Sequence, residues 1–285
     1  MGVLKILTDE YFGETIREED KIQNVEIVSF TDKNGKFHKH GYRVKDGNPD
    51  EMAETLKTLI ERIIEKRGPE CSLNDIDVSN ITQMFCEDGG VFYGFKFNGD
   101  ISGWDISNVE DMYNMFAYSD FTGKNGIFRL EEGNKVKNMF SMFYGSEFNG
   151  DISDWDVSNV EVMSNMFSNS KFDGDLSKWN VQKVKSMNGM FSESEFTGKN
   201  GIFRLKEKNT LFGTNCMFWN SPFDGDVSDW CVNKNRDMGS MFSESSFNGD
   251  TSKWKVRKDC WVRNMFNDTP LEKNNNLPQW YLDRQ

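Results

Sequence analysis

The stretch FNGDISDWDVSNVEVMSNMF, residues 148–167, sets Asp151, Asp154, Asp156 and Glu161 around a glycine and a tryptophan. Carboxylates at alternate positions beside glycine suit a calcium loop, which converges about 6–8 oxygen ligands on one ion. They also suit a paired-carboxylate acid–base site. The same letters serve turns, in which a short carboxylate accepts from backbone amides two residues further on. Comparison within the chain separates these readings. The first aspartate recurs as Asp100, Asp151, Asp175, Asp226 and Asp250. The place of Asp154 is taken by Gly103, Lys178, Asp229 and Lys253, and that of Asp156 by Asp105, Asn180, Cys231 and Lys255. Lysine removes an oxygen ligand and repels a cation, so a turn role is expected, with no metal and no cofactor.

Other candidate chemistry is thin. His38 and His40 fall on one side of an expected strand, but two imidazoles without a third ligand are fewer than a metal site requires. Cys71, Cys86, Cys216, Cys231 and Cys260 form no C-x-x-C pair and are odd in number, which predicts reduced thiols. No serine–histidine or cysteine–histidine constellation is evident, and G-K-N-G lacks the form of a phosphate-binding loop. The chain is therefore expected not to be an enzyme.

The quoted stretch is one copy of several. F-x-G-D-x-S-x-W begins at Phe97, Phe148, Phe172, Phe223 and Phe247, and the variant FTGKNGIFRL at Phe121 and Phe196. Successive starts lie 24, 27, 24, 24, 27 and 24 residues apart, and Phe97, Phe172 and Phe247 mark a larger period of 75. DIDVSNITQMF, before Phe97, reads as a first unit lacking one V-x-x-M step. Such self-similarity is the signature of stacked repeats.

Units end in V-x-x-M-x-x-M-F, from Val109, Val136, Val160 and Val184, or in variants of it, and the spacing predicts a short helix presenting one apolar face. Met112 with Phe116, Met163 with Phe167, and Met187 with Phe191 form the expected core stripe. Ser107 with Glu110 and Ser158 with Glu161 read as capping boxes for those helices. A strand is expected in the first half of the unit, either at F-x-G-x-I or at W-x-V. The predicted fold is an α/β solenoid: a leucine-rich-repeat-like right-handed coil of about eight 24–27-residue units, each strand plus short helix. Residues 71–270 form it. Residues 1–70 are expected to make a small α+β cap or attachment domain, with a hairpin turning at Lys33-Asn34-Gly35 and a helix over 49–67. Residues 271–285 are a capping or docking tail.

The core S-N-V-x-x-M-x-x-M-F resembles the BspA-type surface-protein repeats of mycoplasmas, Bacteroides-like bacteria and some phages and protists. The resemblance covers about residues 72 to 270. It implies a leucine-rich-repeat relative acting as a non-enzymatic binding scaffold, and it carries over no catalytic residue.

A net charge of −12 argues against binding nucleic-acid phosphates. No apolar run is long enough to span a membrane. The first 20 residues lack the basic and apolar regions of a secretory leader, so synthesis in the cytoplasm without a signal peptide is expected. The function predicted is a protein–protein interaction scaffold: a structural or assembly component such as a virion protein, with capsid or tail subunits as partners. The alternative is a cell-surface adhesin that meets a host surface. The expected binding face is a pair of outward ladders on the F-x-G-D-x-S strand. One runs Asn98, Asn149, Asp173, Asp224, Asn248; the other runs Asp100, Asp151, Asp175, Asp226, Asp250. A hydroxyl ladder follows from Ser102, ending at Thr251 or Ser252.

Overall fold

The computed structural model describes residues 22–284. The reading of the first 20 residues as lacking a leader lies outside the described residues. Strands β1 (Val25–Thr31) and β2 (Phe37–Val44) form an antiparallel hairpin. Its corner closes where Asp32 Oδ1 accepts from the amides of Asn34 and Lys36, and Gly35 turns at φ 78°. Helix α1 (Pro49–Arg67) starts under an Asn48 cap, with proline in its first turn, and ends at Gly68. Met52, Leu56, Leu59, Ile60 and Ile63 lie on its buried face. β2 then pairs in parallel with β3 (Ile76–Asp77), so the hairpin is joined to the first repeat unit.

From there the units pair with one another in parallel. Single bridges link Gln83, Asp111, Asn138, Val162, Ser186, Gly213, Asp237 and Trp261 in order. The pairing lies in the segment expected to be helical, and this corrects the sequence reading. The amides of Met112, Asn114, Phe116 and Tyr118 donate to the carbonyls of Asn138, Phe140, Met142 and Tyr144 in the next unit. The intervening amides of Met115 and Ala117 turn back to Met112 and Asn114 of their own unit. Two residues per unit are left-handed, such as Asn114 at φ 53° and Tyr118 at φ 58°, or Asn165 at 56° and Asn169 at 55°. A left-handed residue every four positions cannot propagate an α-helix. A chain of tight turns also returns every third side chain to one side, and so it imitates the helical period. Nor are the Ser-x-x-Glu pairs capping boxes. The amides of Ser107 and Ser158 donate to Asp105 and Asp156, while Glu110 and Glu161 pair with Lys137 and Lys185.

Neither candidate strand forms regularly. W-x-V has its counterpart in β3, which is extended because β2 lies beside it. F-x-G-x-I has no regular structure, and a tight turn follows it at 102–103 and 153–154. The first unit lacks no step either. Met84 and Val91 take the two methionine places, and a small hairpin of β4 (Phe85–Cys86) and β5 (Gly89–Gly90) bulges out between them.

The core is one cluster running from Val25 to Tyr281. Met112, Phe116, Met163, Phe167, Met187 and Phe191 are all fully buried. Phe116, Phe143, Phe167 and Phe191 stack at 5.5, 5.6 and 5.6 Å, nearly parallel. A second column, Phe121, Phe148, Phe172 and Phe196, stacks at 6.1, 6.0 and 6.2 Å. Offset ring pairs of this kind add about 0.5–1.5 kcal/mol each beyond the area they bury. Tryptophans tie units together by polar bonds as well. Nε1 of Trp179, Trp230 and Trp254 donates to the carbonyls of Ile152, Phe203 and Val227 in the preceding unit.

The tail continues this pattern. Thr269 caps α2 (Pro270–Lys273), and α3 (Gln279–Leu282) carries Trp280 and Tyr281. Trp280 stacks on Trp254 at 6.3 Å and donates to Thr251 O, as the tryptophan of a further unit would.

Two stability measurements check this architecture. Met166→Ala and Phe167→Ala should each lower unfolding free energy by about 2–5 kcal/mol in urea melts. At exposed Asn169, Asn169→Gly should stay within about 0.5 kcal/mol of the parent, while Asn169→Val should lose about 1–2 kcal/mol. A helix would rank those two the other way.

Candidate functional site

The five aspartates expected to face a partner each form a local turn. Oδ1 of Asp100, Asp151, Asp175, Asp226 and Asp250 accepts from the amide two residues on, at 2.9, 3.0, 2.8, 3.0 and 2.8 Å. The last of these bonds goes to Ser252, so Ser252 continues the hydroxyl column. Thr251 sits at the inward position and is 2 % exposed. The carboxylate column is not continuous. In the 27-residue units its place is taken by Gly126 and Gly201, both at φ 129°. A Cβ there would lie 2.4 Å from Asp100 Oδ1 and 2.3 Å from Asp175 Oδ1. Glycine is therefore required, and its backbone covers those two carboxylates.

The other expected ladder joins units to one another. Asn98 Oδ1 accepts from the Thr122 amide at 2.9 Å, and Asn149 Oδ1 from the Asp173 amide at 3.0 Å. Asp173 and Asp224 do the same for Thr197 and Asn248, at 2.8 and 2.9 Å. Side chains thus accept at these four corners, while the amides of Asn149 and Asp224 bond directly to the carbonyls of Thr122 and Thr197, and the Oδ1 atoms of Asn98, Asn149, Asp173 and Asp224 are already engaged. Surface pairs such as Lys178–Asp154 at 2.6 Å and Arg204–Asp229 at 3.0 Å also bridge units. Exposed pairs like these contribute only about 0–1 kcal/mol.

His38 is buried beside Phe30, with Nε2 2.8 Å from Asp32 Oδ2. Burial works to raise the Asp32 carboxyl, but the bonds from His38 and the amides of Lys36 and Asn34 together hold it low. His38 is thus engaged by a carboxylate of its own hairpin. Among the described residues no group of three or more His, Cys, Asp or Glu is placed to hold a metal ion. All five cysteines are free, and burial pushes the Cys86 and Cys260 thiols up to about 11, where thiolate is scarce at neutral pH. A cleft of about 920 Å³ opens beneath the hairpin corner, where Lys33 reaches Glu131 at 3.2 Å and Asp105 at 3.6 Å.

A different surface lies outside these polar ladders. The outward side of the bridged segment carries partly exposed aromatics in the first units. Tyr113 stacks on Phe140 at 5.5 Å, and Tyr118, 51 % exposed, meets Tyr144 edge-on at 5.2 Å. The sequence signal of Tyr113 and Phe140 is the aromatic that follows the first methionine in M-Y-N-M and M-F-S-M, and that of Tyr118 and Tyr144 is a tyrosine just after the M-F pair.

The turn carboxylates give a pH dependence. The amides of Ser153, Ser228 and Ser252 hold Asp151, Asp226 and Asp250 below the ordinary value of 3.8. A carboxyl lowered in the folded state stabilises it above the unfolded value and loses that contribution as pH falls through the folded one. The melting temperature should therefore drop as pH falls below about 4, and the triple Asp→Asn variant at these positions should flatten that slope.

No curated protein matches the chain, and no solved structure matches it. One family matches over residues 66–127, 131–213 and 209–284, so that its domain recurs along most of the sequence. The family's own description assigns it no activity. The chain is a repeat protein and belongs to the family described as Mycoplasma protein of unknown function, DUF285.

Proposed function

We propose that the chain is a non-enzymatic scaffold for protein–protein interaction: a right-handed solenoid, similar in coil length to leucine-rich repeats, serving as a structural or assembly component such as a phage virion protein. The observation that carries this reading is the fate of the repeated polar residues. The aspartate of every F-x-G-D corner bonds to its own turn, and the neighbouring side chains of Asn98, Asn149, Asp173 and Asp224 bond to the next unit. The chemistry-bearing groups that recur are engaged in stacking, and stacking yields a long surface for partners. The net charge of −12 favours protein partners over nucleic acid.

A second reading, a BspA-type cell-surface adhesin, is favoured by the S-N-V-x-x-M-x-x-M-F motif that resembles such surface repeats. Fractionation distinguishes the two. Antibody detection in particles banded on a density gradient is the outcome expected for a virion component. Labelling of intact producing cells by a membrane-impermeant reagent, with none of the protein in particles, would instead support the adhesin.

A further inference from the structure

Charge is segregated along the side of the molecule that lies between the core Trp or Phe of each unit and its bridged segment. These stretches lie one above the next, since Lys178 reaches Asp154 at 2.6 Å and Lys183 Nζ donates to Asn159 Oδ1 at 2.7 Å. Over 103–108, 127–135 and 154–159 acids outnumber bases five to two. Over 178–183, 202–210, 229–234 and 253–258 bases outnumber acids ten to two, in a chain whose net charge is −12.

The two ends of this side also differ in shape. The acidic end is concave: the cleft of about 920 Å³ is lined by the carboxylates of Asp105, Glu131, Glu132, Asp151, Asp154 and Asp156, against the two cations Lys33 and Arg129. Lys33 and, at the rim, Lys178 answer only part of that charge. The basic end is a corner with tight turns at 252–253 and 258–259, on which Lys253, Lys255 and Lys258 are exposed. Cations nearer the middle are bonded within the chain, Lys183 to Asn159, Arg204 to Asp229 and Lys234 to the Asn209 carbonyl. The three corner lysines form no ion pair or hydrogen bond through their ammonium groups among the described residues.

We propose that the lysine corner of one copy seats in the acidic cleft of a second copy, and that two copies exchange corners in a closed two-fold dimer. Corner and cleft share one side of the molecule, with Asp154 and Lys253 four units apart, about 19 Å at ~4.8 Å per unit. A second copy turned antiparallel, side against side, sets each corner opposite the other copy's cleft, so one rotation makes both contacts. A lysine stem carries its charge to the carboxylates while its methylenes pack on apolar parts of the cleft such as Ile127. Exposed charge pairs contribute little singly, so the dimer draws on several at once and weakens with salt. A polyanion such as nucleic acid would also be drawn to the corner, but it would meet the acidic units beside it. The proposal does not rest on the scaffold reading, under which copies that stayed apart would still have other proteins as partners.

Sedimentation equilibrium of the full chain tests it. In about 0.1 M salt, where charges act over about 10 Å, the weight-average mass should rise with concentration from one chain towards two and no further. In about 1 M salt, where that reach is about 3 Å, one chain should remain. Lys253→Asp with Lys255→Asp, and separately Asp154→Lys with Asp156→Lys, should each abolish the dimer by setting like charges together. Mixed in equal amounts, the two variants should dimerise again, because each corner then meets a cleft of opposite sign. All four changes install residues that other units carry in the same columns, as at Asp229, Asp105, Lys178 and Lys255, so the fold accommodates them. If a variant nevertheless melts early, the salt series on the unaltered chain decides alone. One chain at every concentration at the lower salt, mass climbing past two chains, a dimer indifferent to salt or to either pair of changes, or folded variants that stay apart when mixed would overturn the proposal. So would retention on heparin that the lysine changes abolish while the mass stays at one chain, which would give the corner to a polyanion.

Discussion

In the M-x-x-M-F segment of this protein every second backbone amide donates to the next unit. The amides of Met112, Asn114, Phe116 and Tyr118 find acceptors only in residues 138–144, and the same arrangement repeats down the chain. A buried amide without an acceptor is expensive, so a unit isolated from its neighbour is not a stable object. Alternation follows from the same constraint. For every second amide to point along the stack, the residues between must turn back, and left-handed positions such as Asn165 and Asn169 supply that reversal. The buried rings follow in turn, since a regular backbone step places Phe143 over Phe167 and Phe167 over Phe191.

Much of this was legible in the letters. The period, the unit boundaries, helix α1, the hairpin corner and the burial of the M-x-x-M-F side chains all follow from spacing and composition. The turn role of Asp151 followed from the lysines that replace its neighbours. The conformation of the M-x-x-M-F segment did not follow. An apolar residue at every third place fits a helix and a run of tight turns equally well, and only φ distinguishes them. The asparagines and glycines at Asn165, Asn169, Gly145 and Gly189 were the available signal, because they tolerate left-handed backbone. It was obscured by Tyr118, Glu193 and Cys216, which adopt the same conformation without that preference.

The site was less legible because comparison of columns rewards sameness. Asn98 and Asp100 stood out as recurrent and polar, and recurrence marked them as structural. One closes a contact between units and the other a turn, needs that every unit shares. A recognition surface on a repeat must instead differ from unit to unit. Asp154 and Lys253 share a column and differ in sign, and only the fold places one at the cleft under the hairpin and the other on an exposed corner.

Trp280 has a consequence for how such a chain changes over time. It occupies the place of the next unit's tryptophan while belonging to a segment that begins no new unit, so the stack ends on a surface it would present at any length. The hairpin at the other end pairs with the first unit through β3 and reaches the next two through Lys33 and Asn34. Unequal recombination between the 75-residue blocks would therefore leave both ends intact and alter only the reach of the molecule, by about 15 Å per block at ~4.8 Å per unit. Length is a variable this architecture can inherit separately from its folding.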